Sequence, residues 1–118
     1  MENKQVLNKE ERIKNEVERI NRLLKNVDDK KRKAVDSLVN NAAFMTVTLE
    51  DLQDEINRNG TTEQYKNGAN QYGIKKSAAV EVYNVMIKNH MNVIKQLNEL
   101  VPKSEDTDDE FKSFMMRK

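Results

Sequence analysis

The chain has 118 residues, of which 35% are charged, 36% hydrophobic and 5% aromatic. This length and composition predict one small domain and argue against a large dry core. Cysteine is absent and histidine occurs once, which excludes disulfides and zinc–thiolate sites and leaves few catalytic groups. One proline and three glycines argue against a many-turned β-fold and favour long helices.

The net charge is +1, but the charges are unevenly placed along the chain. Residues 1–33 carry +4, residues 34–74 carry −4, residues 75–101 carry +2 and residues 102–118 carry −1. A basic front and an acidic middle can steer a polyanion or order contacts between subunits. Solvated helix faces explain the same blocks equally well.

The sequence lacks the patterns of a membrane span and of a signal peptide, and this bears on where the protein is located in the cell. No apolar run approaches the ~18 residues that indicate a membrane span. The first twelve residues lack the apolar segment of a signal peptide. We therefore expect a cytoplasmic protein.

The first predicted element is an amphipathic helix over residues 9–26. Ile13, Val17, Ile20 and Leu24 recur at helical spacing among charged residues. The acidic pair Asp28–Asp29 then favours the start of a second helix, because the helix macrodipole stabilises negative charge there.

The second helix is predicted to start near residue 30 and to break near 46–48. Thr48–Asp51 resembles a capping box, with Val47 and Leu52 at the positions of a hydrophobic staple. This favours helices over 30–46 and 49–58. One kinked helix is the alternative, because an uninterrupted heptad seam crosses the break. The seam consists of Val35, Leu38, Ala42, Met45, Leu49, Leu52 and Ile56.

Residues 59–76 contain all three glycines and two of the three tyrosines. Asn67–Gly68 stands where a two-residue hairpin turn would sit, so this segment is predicted to be a small hairpin or an ordered loop. Ser77 is a candidate cap for a last helix over 77–101, which Pro102 ends.

The predicted fold class is all-α, with three to four helices, a long antiparallel helical pair and a Gly/Tyr-rich loop between them. We expect one domain over 1–102 and a flexible acidic tail over 103–118. The two long helices offer more apolar surface than they can bury on each other, which predicts a homo-oligomer that forms a ring. The candidate core or interface residues are Val35, Leu38, Met45, Leu49, Leu52, Ile56, Val80, Tyr83, Ile87, His90, Ile94 and Leu97.

The sequence predicts no enzyme. His90 lies within an apolar helical stripe, which is typical of a packed or interface residue rather than a catalytic one. Gly68–Ser77 approaches a phosphate-loop pattern, but Ile74 stands where the lysine is required and no apolar strand precedes it. We therefore expect no catalytic, cofactor or metal site, and a nucleotide-dependent enzyme is the least favoured alternative.

The sharpest local feature is the basic run Lys30, Lys31, Arg32 and Lys33. Such a run can bind the phosphates of duplex DNA. Asp28, Asp29 and Asp36 could equally neutralise it on a solvated face.

The order of these features resembles the small subunit of a tailed-phage terminase, of a compact kind found in phages and prophages of AT-rich bacteria. The likeness covers about residues 35–102. The segments that carry it are Asn41–Met45, Thr48–Leu52, Tyr65–Gly68, Asn70–Gly73, Lys76–Ala79, Tyr83–Lys88 and Leu97–Pro102.

The resemblance implies a mostly helical, non-catalytic protein that assembles into rings, recognises viral double-stranded DNA and regulates the large subunit. Many members carry a helix-turn-helix, whereas residues 9–46 show neither its tight turn nor its recognition helix. A helical scaffold or coiled-coil interaction protein without DNA binding is the alternative.

The tail ends in an apolar motif that is a candidate partner site. Phe111, Phe114 and Met115 are spaced for one face of a short helix. By resemblance, the partner would be the large terminase subunit, held by a helix-in-groove contact. A tail docked on its own subunit or on a neighbour is the alternative.

Overall fold

A computed structural model describes residues 7–24 and 26–101. The chain forms α1 (Lys9–Arg22), α2 (Arg32–Asn59), β1 (Thr62–Lys66), β2 (Tyr72–Lys76) and α3 (Ala78–Leu100). A short 3-10 turn, Asp29–Lys31, precedes α2. The protein is mostly helical, and the two strands correct the all-α prediction.

α1 begins at a capping box. The side chain of Asn8 accepts a hydrogen bond from the Glu11 N–H at 2.8 Å, and the Glu11 carboxylate accepts one from the Asn8 N–H at 3.1 Å. The helix ends at Arg22, earlier than the predicted residue 26. Asp28 caps the 3-10 turn rather than α2, since its side chain accepts from the Lys30 N–H at 3.2 Å.

The predicted break at 46–48 is wrong, because α2 is one continuous helix of 28 residues. Val47 is buried, and the hydroxyl of Thr46 lies 2.9 Å from Nε2 of His90 on α3. Packing against neighbouring helices therefore outweighs the weak helix propensity of this β-branched run. The hydrogen bond to His90 also holds Thr46 in the helix.

β1 and β2 form an antiparallel hairpin in which Lys66 pairs with Tyr72 and Thr62 with Lys76. The predicted small hairpin is present, but its connection spans residues 67–71 instead of a two-residue turn at Asn67–Gly68. The Asn67 N–H donates to the Gln71 carbonyl at 2.7 Å. Gly68 and Asn70 both adopt positive φ, which lets the five-residue loop close.

Ser77 caps α3 as predicted, because its hydroxyl accepts from the Val80 N–H at 3.1 Å. α3 runs antiparallel to α2. Gln53 Nε2 on α2 donates to the Tyr83 hydroxyl on α3 at 3.0 Å. Nearer the start of α2, the Thr46 hydroxyl lies 2.9 Å from Nε2 of His90, which is nearer the end of α3.

α2 is the central helix, with α1 and α3 packed against it. The main core lies where the C-terminal parts of α1 and α3 meet the N-terminal half of α2. We call this the packed end, and the end with the hairpin the hairpin end. The core residues are Ile20, Leu24, Val35, Val39, Ala42, Ala43, Ile94, Leu97 and Val101.

Candidate functional site

The basic run lies at the packed end, on the 3-10 turn and the first residues of α2. Lys30, Lys31 and Lys33 are exposed and Arg32 is partly exposed. Arg32 forms a long ion pair with Asp36, at 3.7 Å between Nε and Oδ1. Within residues 7–24 and 26–101, the three lysines form no ion pair. Their charges therefore face solvent and can meet a polyanion.

α1 covers one side of α2. Arg12 donates to Asp51 at 2.7 Å and to Glu50 at 3.0 Å, and Lys9 Nζ lies 4.8 Å from the centroid of the Phe44 ring. The two carboxylates raise the pKa of Arg12, with the hydrogen bond to Asp51 the largest cause. These contacts fix where α1 lies around α2.

A different side of α2 faces away from α1. α3 packs over the side that carries Thr46 and Gln53. At ~100° per residue, four of the seam residues lie next to that side, on the flank of α2 opposite α1. They are Leu38, Met45, Leu52 and Ile56.

α3 continues this apolar surface. Because both helices are right-handed and antiparallel, the flank of α3 that adjoins the α2 seam is the one carrying Val82 and Met86. Val82 on this combined surface is exposed and its other side chains are partly buried; Leu38, Val93 and Leu100 also pack against the main core. We call this surface the open helix face. It consists of Leu38, Met45, Leu52, Ile56, Val82, Met86, Val93 and Leu100.

The predicted core or interface residues therefore divide into two groups. Val35, Leu49, Ile94 and Leu97 are buried within the single chain. The others are partly exposed. They are Leu38, Met45, Leu52, Ile56, Val80, Tyr83, Ile87 and His90.

His90, on α3, contacts Thr46 on α2 and lies near Glu16 and Arg19 on α1. Desolvation by burial lowers its pKa below the usual 6.5, and the charge of Arg19 lowers it further while Glu16 opposes the shift. Among the described residues, no group of three or more histidine or acidic side chains could hold a metal ion. The near phosphate-loop pattern spans the hairpin loop and β2, rather than the strand-to-helix turn that such a loop requires.

The hairpin has two different faces. On one face, the Tyr65 ring lies across Gly73, so that a Cβ at Gly73 would meet ring atoms at 2.8 Å. Glu63 pairs with Lys75 at 3.6 Å and accepts from the Ala78 N–H at 3.1 Å. We call this the closed face because Glu63 joins it to the start of α3, while Tyr65 and Lys75 on it remain exposed.

The opposite face of the hairpin is solvent-exposed and was missed by sequence reasoning. It carries Tyr72, which is 60% exposed, and Ile74, which is 75% exposed, between Lys66 and Lys76. The alternation of side chains at residues 72, 74 and 76 is the sequence signal that could have found it.

The tail motif Phe111, Phe114 and Met115 and the domain boundary at 102 lie outside the described residues. None of the helices within 7–24 and 26–101 has the length and hydrophobicity needed to cross a membrane. No protein-family model, curated protein or solved structure matches the chain.

Proposed function

We propose that this protein is an oligomeric, non-catalytic DNA-packaging adaptor of the terminase small-subunit kind. It would recognise viral duplex DNA and regulate the large subunit in the cytoplasm of an infected or lysogenic bacterial cell. The resemblance behind this proposal covers residues 35–102. Among the described residues, that range includes most of α2, the hairpin and α3.

One observation carries the proposal, and it is the open helix face. Two long helices present a continuous row of leucine, isoleucine, valine and methionine side chains on the flank opposite α1. A contiguous apolar surface of this kind marks an interface. A second copy is the natural occupant, because a closed ring lets each subunit cover its neighbour by a heterologous contact.

The assembly is tested by native mass spectrometry of the full chain. Leu52→Asp should dissociate the oligomer, because a carboxylate at an apolar interface is buried without a partner. Ser37→Asp, on an exposed position of the same helix, is the matched control and should leave the particle intact. A wild-type protein that is monomeric at micromolar concentration would overturn the assembly.

The basic run supports the DNA-binding part of the proposal. Replacing Lys30, Lys31, Arg32 and Lys33 with Gln should weaken binding to any duplex and flatten its salt dependence. Each lost phosphate contact lowers the slope of log affinity against log salt by about 0.9. Lys88→Gln together with Lys95→Gln removes exposed charges from α3 and is the control.

The large subunit is the proposed partner of the tail. Deleting residues 103–118 should abolish its capture in a pull-down while oligomeric state and melting temperature stay unchanged. If the deletion breaks the oligomer or lowers the melting temperature by several degrees, the tail is structural.

The alternative is a helical scaffold without DNA binding. Asp28 and Asp29 beside the basic run favour it, because nearby carboxylates reduce the local positive potential. A wild-type oligomer that binds no duplex at low salt would select this alternative.

A further inference from the structure

The structure separates the carboxylates of α2 from the lysines of the hairpin, which crosses from the acidic block 34–74 into the basic block 75–101. Residues 34–74 carry a net −4, but the carboxylates Glu50, Asp51, Asp54 and Glu55 all lie on α2. The hairpin that follows has three lysines and a single carboxylate, Glu63. The hairpin is therefore a positively charged projection beyond an acidic helix end.

The two faces of the hairpin use these charges differently. Glu63 and Lys75 pair with each other on the closed face, where Lys75 Nζ also lies 5.8 Å from the Tyr65 ring centroid. The strand register places Lys66 and Lys76 on the exposed face. Both are exposed, and among the described residues neither forms an ion pair.

The exposed face contains no carboxylate. Its side chains are Thr62, Gln64, Lys66, Tyr72, Ile74 and Lys76. Packing two such faces together would bring like charges together and bury unpaired ammonium groups, which is costly. A surface of phosphates removes both costs, because each ammonium then gains a counter-charge.

We infer that this hairpin face is a second DNA-contact site, with Lys66 and Lys76 on backbone phosphates and Tyr72 and Ile74 against the groove. A two-stranded ribbon fits the major groove of B-DNA. The site is separate from the basic run, since the 28 residues of α2 place its ends about 42 Å apart at ~1.5 Å per residue. This inference rests on the proposed function, because it assigns a further contact to the same DNA.

The test is a salt titration with a fluorescent duplex about 40 base pairs long, which at ~3.4 Å per base pair spans both ends of α2. Lys66→Gln with Lys76→Gln should lower the log–log slope by about 1.8. When the salt is raised from about 50 to about 200 mM, the affinity of the double variant for the duplex should fall by a factor about ten times smaller than the factor for the wild type.

Lys75→Gln is the matched control, because it removes one lysine from the closed face of the same hairpin. It should leave the slope unchanged. Tyr72→Ala should weaken binding without changing the slope, since a groove contact releases no counterion. Circular dichroism and melting temperature establish that each variant is folded.

Three outcomes overturn the inference. The first is a Lys66→Gln, Lys76→Gln variant that behaves like the Lys75→Gln control. The second is a folded variant that loses its oligomeric state by native mass spectrometry, which would make this face an interface between copies. The third is a wild type that binds no duplex, and this outcome alone also overturns the DNA-binding part of the proposed function.

Discussion

α2 and α3 run through both the packed end and the hairpin end of this molecule, but their apolar side chains are more deeply buried at the packed end. At the packed end, α1 adds a third helix, and Val35 and Leu97 are fully buried. At the hairpin end, the third element is a polar two-stranded hairpin, and Val82 and Val85 on α3 are 47% and 61% exposed. The buried core therefore lies at one end, while α3 exposes large apolar side chains towards the other.

The largest expected effect comes from breaking the packed end. Leu97→Ala removes a side chain that is 0% exposed and should cost about 3 kcal/mol of unfolding free energy. Ile56→Ala on the open helix face should cost less than about 1 kcal/mol in the monomer, because that side chain is already partly hydrated. Urea unfolding of both variants, at concentrations where the protein is monomeric, measures the difference. Equal losses would contradict the division between the two ends.

The next effect concerns the contact that holds the first half of α1 on α2. Arg12→Ala removes the hydrogen bonds to Asp51 and Glu50 and should cost about 1 kcal/mol, since these groups are partly exposed and screened by solvent. Amide hydrogen exchange should rise near residue 12 and stay low near Ile20 at the packed end. Arg12→Lys should restore only part of the protection, because lysine cannot bind two carboxylates in the planar geometry of arginine.

A smaller effect should appear within the hairpin. Gly73→Ala forces the Tyr65 ring to move, because the new Cβ would lie 2.8 Å from ring atoms. Hydrogen exchange of residues 62–76 should accelerate, while the melting temperature of the helices changes little. Tyr65→Ala removes the obstacle, so its cost and that of Gly73→Ala should not add in the double variant. Additive costs would contradict the ring–glycine contact.

The smallest effect is a pH dependence from His90. Its pKa is lowered mainly by burial, with Arg19 and Glu16 as the charged groups that act on it. The folded state therefore favours the neutral ring. This contribution is complete above the usual pKa of 6.5 and is lost as the pH falls through the folded pKa. When the pH is lowered from about 7.5 to about 5.5, the free energy of unfolding of the His90→Gln variant should fall less than that of the wild type. Equal losses would assign the pH dependence to other groups.

Helical periodicity located α1, α2 and α3 and the cap at Ser77. The prediction failed at residues 46–48, where the local capping signal was preferred to the uninterrupted heptad seam, although α2 is one helix. The helix continues through this run because Val47 is buried and the Thr46 hydroxyl contacts His90, which lies 44 residues away along the chain. Such contacts leave no local mark in the sequence.

The candidate surfaces were predictable to different degrees. The basic run is visible as consecutive letters, and the structure leaves its lysines exposed. The exposed hairpin face is not visible in this way, because its two lysines fall in different charge blocks: Lys66 lies within the acidic residues 34–74 and Lys76 within residues 75–101. Only the strand register separates Lys66 and Lys76 from the paired Lys75.

The continuous helix α2 connects the packed end directly to the hairpin end. With no hinge along its 28 residues, a tilt at the packed end moves the hairpin end as part of the same rigid rod. Over about 42 Å, a rotation of about 10° displaces the far end by about 7 Å. A small rotation of α2 at the packed end would therefore produce a larger displacement at the hairpin, without any change in the secondary structure between them.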